Sequence, residues 1–313
     1  MASQTPLPLL TDRARAAFLD ACRLDVETAK PGNVSTASPG HGMIAAQFIA
    51  SAEASADALV TRGVPVGERI LEAVSRTRQV AGCNTNLGIV LLVAPLAAAL
   101  DRLSNTPGFD PAAPLSPIVW RAATQQVLAS LTIDDARAAY RAIALANPGG
   151  LGDAPEQSVH DAPSVDLRAA MALAAERDSI ARQYANGFAD IFATGLDAVR
   201  EAPAHAPPLA TLNTYLAFLA SWPDSHIVRK HGLALAQSVT LAALEQHTRL
   251  RHALVQRRAP STAPLDAWDA QLKARAVNPG TSADLTVATL FAAALCALPA
   301  LAPSPSPPLH ARV

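Results

Sequence analysis

The sequence predicts an all-α fold, one multi-helix domain over residues 1–301, and three observations carry that prediction. Half of the 313 residues are hydrophobic while only 4% are aromatic. Alanine and leucine must therefore fill the core, which suits closely packed helices, whereas strand-rich chains lean on β-branched and aromatic residues. Apolar residues recur at helical spacing, and no strand-like alternation of useful length appears. No fixed-period repeat marks a solenoid.

The elements follow in order. Thr11 is a suitable N-cap for a helix carrying Phe18, Leu19, Cys22 and Val26, and Pro31 stops it. Glu27 and Lys30 then sit at its C-terminal end. A second helix is predicted over Met43–Val60, and a third over Val66–Val80, ended by Gly82. An apolar run from Ile89 to Leu100 reads as a central buried helix. Four prolines between Ser104 and Pro117 mark a surface loop. Further helices are expected over Ile118–Leu131, Asp134–Ala146, Val165–Ala202, Leu209–Ser221, Ile227–Arg258, Leu265–Ala276 and Asp284–Leu298. The proline-rich residues 302–313 read as a disordered tail.

Bulk properties exclude several functions. The net charge of −1 gives no reason to expect nucleic-acid or membrane-surface binding. The apolar run is shorter than the roughly 20 residues that span a bilayer, and the N-terminus lacks a signal-peptide pattern. Cys22, Cys83 and Cys296 are isolated and odd in number, which fits a reducing cytoplasm rather than a disulfide framework. No H-E-x-x-H or G-x-S-x-G occurs, so neither a zinc enzyme nor a serine hydrolase is supported. A homodimer is the default expectation for assembly.

Polar residues instead gather at helix ends. Three junctions carry Pro-Gly: Lys30-Pro31-Gly32, Asn147-Pro148-Gly149 and Asn278-Pro279-Gly280. Proline ends a helix and glycine takes conformations others resist, so such turns can expose backbone N–H groups that attract anions. Further clusters are Asn84-Thr85-Asn86, Glu176-Arg177-Asp178-Ser179 and Asp224 to Lys230. Taken singly, each has a plain structural reading as a helix cap, a helix stop or a solvated face. Together, their carboxylates, amides and basic groups suit a Mg²⁺–polyphosphate site, since Mg²⁺ takes oxygen ligands and bridges carboxylates to phosphates.

In sequence order these segments resemble the triphosphoribosyl-dephospho-CoA synthase family. The matching segments are Glu27 to Gly32 (E-T-A-K-P-G), Gly82 to Gly88 (G-C-N-T-N-L-G), Asp224 to Arg229 (D-S-H-I-V-R) and Asn278 to Leu285 (N-P-G-T-S-A-D-L). Where the family's middle motif continues with a His-Lys pair, this chain has Asn86-Leu87, so a basic group is absent there. The resemblance implies an all-helical transferase that takes ATP as substrate and displaces its adenine with a ribose hydroxyl of 3′-dephospho-CoA. An oxocarbenium-like transition state then calls for a carboxylate near C1′ and a base for the hydroxyl.

On that resemblance, Glu27 and Asp284 would hold Mg²⁺ or stabilise the developing cation, and Asp224 would be the base or a further ligand. Lys30 and Arg229 would contact the triphosphate. Asn84, Thr85, Asn278 and Ser282 would hydrogen-bond phosphate or ribose, with Gly32 and Gly280 shaping the turns. Two alternatives stand beside it. One keeps the chemistry but changes the acceptor to a carrier precursor of the tetrahydromethanopterin type, in C1 metabolism. The other is a non-catalytic helical nucleotide-binding protein.

Overall fold

The computed structural model describes residues 7–148 and 161–302. Among them are fourteen α-helices and no strand. The first six run α1 Leu7–Glu27, α2 Ala45–Val60, α3 Val66–Ala81, α4 Leu87–Ser104, α5 Pro117–Ala129 and α6 Ile133–Ala146. After the undescribed residues come α7 Leu167–Ala174, α8 Ser179–Asn186, α9 Leu196–Glu201, α10 Pro207–Ser221, α11 Ser225–His231, α12 Leu233–Val255, α13 Ala263–Ala274 and α14 Gly280–Leu295. The expected tail, apart from Ala302, and the glycine run after Pro148 lie outside the described residues.

Local chemistry explains most boundaries. Helix α3 ends on Gly82, which adopts a left-handed conformation (φ 68°). Thr132 and Asp135 form a reciprocal capping box at the start of α6. Two long helices expected from the sequence are broken. The stretch 165–202 divides because the Asp178 carboxylate caps a new start at α8, and Gly187 (φ 66°) then ends it. A π-helical turn over Ile191–Gly195 follows. The stretch 227–258 divides at Gly232 (φ 87°), between α11 and α12. Conversely, α1 starts before Thr11, which is therefore not its cap.

Helix α4 is longer than the apolar run suggested. Its length and composition would let it cross a membrane, yet 78% of it is buried within the protein. It packs against α2, α3, α5 and α14. Pro95 inside it removes one backbone donor and frees the Leu91 carbonyl; Tyr184 donates its hydroxyl to that oxygen at 2.7 Å. The larger apolar core surrounds α4 and α14, and a second gathers α10, α11, α12 and the turn before α14. Helix α14, almost wholly buried, contributes to both. The starts of α4, α8, α11 and α14 consequently face one cavity.

Candidate active site

That cavity measures about 610 Å³. All three Pro-Gly junctions touch it or its walls. Asn33 donates to the Asn278 side chain at 3.0 Å, joining the first junction to the third. Gly32 (φ 79°) packs so tightly there that a Cβ would fall 2.8 Å from Pro279 Cδ. Asn147, left-handed at φ 45°, and Pro148 line the opposite side.

The floor is acidic. Asp25, Asp178 and Asp284 all line the cavity. Burial pushes the Asp284 carboxyl well above the usual range, and Asp25 and Asp224 push it the same way against the opposing pull of Arg229. Burial also raises Asp25, while the Lys30 ammonium 3.2 Å away pulls it down. That ion pair is out of hydrogen-bonding alignment at Asp25 Oδ1, which is left with no hydrogen-bond partner. The Asp284 carboxylate lies on the backbone of Gly88 at the start of α4, where a Cβ would fall 2.1 Å from Oδ2. A helix N-terminus favours a negative charge in that place.

The rim is basic. Arg78, Arg177 and Lys230 line the cavity and are exposed, and Arg229 is half-buried below them. Arg229 donates to Asp178 at 2.7 Å, while its Nε has no partner. Tyr140, Ile143, Met171 and Ile180 form an apolar wall.

Of the residues expected from the sequence, Asn84, Thr85, Arg229, Asn278, Gly280 and Asp284 line this cavity. Thr85 donates to Ser51 Oγ at 2.6 Å, and Asn84 caps the Leu87 N–H at 3.1 Å. Five expected residues, Asp224 among them, are not in the cavity lining. Glu27 is exposed at the end of α1, outside the cavity lining, because the helix turns it away from the apolar face. Lys30 is fully buried and spends its ammonium on Asp25 and on the Asp25 and Thr28 carbonyls. Gly32 is a packing residue whose N–H donates to Asp269 at 2.8 Å. Ser282 donates its N–H and hydroxyl to Asp224 Oδ2, at 2.7 and 2.8 Å.

Asp224 is likewise unfit as a base. Its other oxygen, Oδ1, accepts from the N–H groups of His226 and Ile227, so both oxygens are engaged. It caps α11 and anchors the first turn of α14. The sequence reading passed over Asp25 and Arg78, and it named Arg177, Asp178 and His226 only as members of polar clusters, without a role for each. Asp25 did leave a signal, a carboxylate in register with the buried stripe Phe18, Ala21 and Cys22.

Comparison with known proteins decides the family: residues 11–301 match the family described as CitG, ATP:dephospho-CoA triphosphoribosyl transferase. The chain belongs to this family. It is a transferase, and its activity is triphosphoribosyl transfer from ATP to dephospho-CoA. No curated protein matches the chain. A solved structure described provisionally as a triphosphoribosyl-dephospho-CoA synthase from Archaeoglobus fulgidus has the same fold. It superposes with a TM-score of 0.59 at 22% identity, covering 81% of this chain and 99% of that one.

Proposed function

We propose that the cavity binds ATP with its triphosphate toward Arg78, Arg177, Arg229 and Lys230 and its C1′ over Asp25 and Asp284. The observation that carries this reading is the acidic floor beneath a basic rim in one cavity. In the reaction the acceptor ribose oxygen bonds to C1′ as the C1′–N9 bond breaks. Adenine leaves with that electron pair and takes up a proton, and the triphosphate stays whole. Asp25, which Lys30 helps to keep ionised, and Asp284, which gives up its proton as positive charge comes to lie beside it, stabilise the ribosyl cation in this low-dielectric floor. Asn278 and Asn84 are placed to hydrogen-bond the ribose or phosphates. The apolar wall suits adenine or the acceptor's pantetheine arm.

Mg²⁺ fits these residues. The donors are all oxygens, Asp25 Oδ1 accepts no aligned hydrogen bond although the Lys30 ammonium is 3.2 Å away, and Asp284 is a carboxyl group crowded by others. Among the described residues no three acidic or histidine groups are close enough to cage an ion, which agrees with an ion held by one or two carboxylates plus substrate phosphates. Asp25 and Asp284 would hold it, and it would supply charge neutralisation to the triphosphate.

The acceptor is the finer point. Asn86 and Leu87, both buried, stand where the resemblance led us to expect a His-Lys pair. That observation favours testing a C1-carrier precursor beside dephospho-CoA. The assay is adenine release from ATP and Mg²⁺, measured chromatographically with each acceptor. We expect dephospho-CoA to stimulate release. Asp25→Asn should slow it at least about 100-fold, whereas Glu27→Gln should stay within about twofold. Near-normal release by D25N removes the proposed floor.

A further inference from the structure

We propose that His226 is the base that accepts the proton of the incoming ribose hydroxyl, an assignment that rests on the transfer reaction above. Three observations lead to it. His226 lines the cavity, and its ring stands beside Gly280, where an added Cβ would lie 3.4 Å from Nδ1. Its Nε2 is buried out of reach of the cavity, which leaves Nδ1, beside Gly280, as the ring nitrogen open to it and free of a hydrogen bond. The backbone holds the residue firmly, since its N–H donates to Asp224 at 2.9 Å and to Thr281 Oγ1 at 3.2 Å.

The other groups nearby are committed. Asp224 has both oxygens occupied by α11 and α14. Asp178 caps α8 with one oxygen and pairs with Arg229 through the other. His41, the other histidine of the cavity wall, has its Nε2 on the Gly32 carbonyl at 2.8 Å. Asp25 and Asp284 belong to the acidic floor, where cationic charge develops. Of the two histidines, His226 is the one at the start of α11, next to Gly280 and the first turn of α14.

Its surroundings keep the imidazole neutral. Burial and then Lys230 and Arg229 of its own helix, His41 of the α1–α2 loop and His231 lower its pKa to about 3. Asp284 on α14 and Asp178 before α8 are the acidic groups of the adjoining walls. Bound triphosphate offsets the cations, so the imidazole becomes more basic once ATP is in place. A weak base suffices for this chemistry. The hydroxyl turns acidic only as its oxygen bonds to C1′, and its proton then passes to Nδ1. The C1′–N9 pair departs with adenine, which is protonated by water, and His226 returns its proton to solvent.

The test compares His226→Ala and His226→Gln with the wild type in the adenine-release assay, with circular dichroism confirming helicity. Both variants should lose about 100-fold or more in kcat, with the KM for ATP changed less than about threefold. The acid limb of kcat should disappear in H226Q, and added imidazole should restore H226A in proportion to its concentration. Wild-type-like kcat in H226Q, an unchanged acid limb, or a rise confined to the KM for ATP overturns the proposal and makes His226 a phosphate contact. Wild-type protein that releases no adenine at all overturns the transfer reading along with it.

Discussion

Asp284 is costly to the fold as a residue. A carboxyl whose pKa is raised by folding keeps a proton that the unfolded chain gives up above its ordinary value of 3.8. Folding then requires proton uptake, so this group's contribution to stability falls as pH rises from there through the folded pKa. Asp284→Asn removes the titrating group, and with it the proton uptake, while keeping the shape. It should raise the melting temperature at pH 7 by a few degrees, about the shift expected of roughly 1 kcal/mol in a protein of this size, and flatten its decline between pH 4 and 7. The same variant should release no adenine. Scanning calorimetry across pH checks the first part, and an unchanged or lowered melting temperature would refute it. Asp25 shares the predicament, eased by Lys30, so the two floor residues are unequal: one has a built-in counter-ion and the other does not.

At the scale of elements, the sequence was most readable where caps and turns are local. Helix α3 with its Gly82 stop and α6 over nearly its expected span follow from side chains within a few residues of each end. What could not be read depended on distant partners. Asp178 looked like one charge on a helix face, but it breaks a helix because Arg229, 51 residues on, and the α8 amides hold it. Asp224 and Ser282 carried family motifs, yet their partners are each other. Glu27 and Asp25 lie two positions apart, and helical phase alone decides which one is buried. Gly88 gives the sharpest prediction at this scale. Alanine normally favours a helix over glycine by up to about 1 kcal/mol, but here its Cβ would strike Asp284 and approach Ile180 Cδ1 at 2.7 Å. Gly88→Ala should therefore lower kcat at least about tenfold without raising the melting temperature. Full activity with a stabilised fold would show that Asp284 does not need its present position.

For the whole molecule, the fold's achievement is to bring residues from positions 25, 84, 178, 226 and 284 to one cavity, with α14 spanning both apolar cores. The chain is almost neutral overall, so attraction of a polyanion must be local, from the exposed rim. Arg177→Glu should raise the KM for ATP several-fold with little change in kcat, and added salt should narrow the gap from wild type. Equal KM values at low salt would remove Arg177 from the rim's function. One bond set described above also limits how this molecule can change over generations. Asp224 ties the segment 224–229 to the segment 278–285, so neither is a transferable module. A recombinant whose 278–285 segment lacks a hydroxyl at 282 leaves the buried Asp224 one donor short, and one without a carboxylate at 224 leaves the Ser282 hydroxyl and N–H without their acceptor. The two motifs should travel together, as a lock and its key are replaced in pairs.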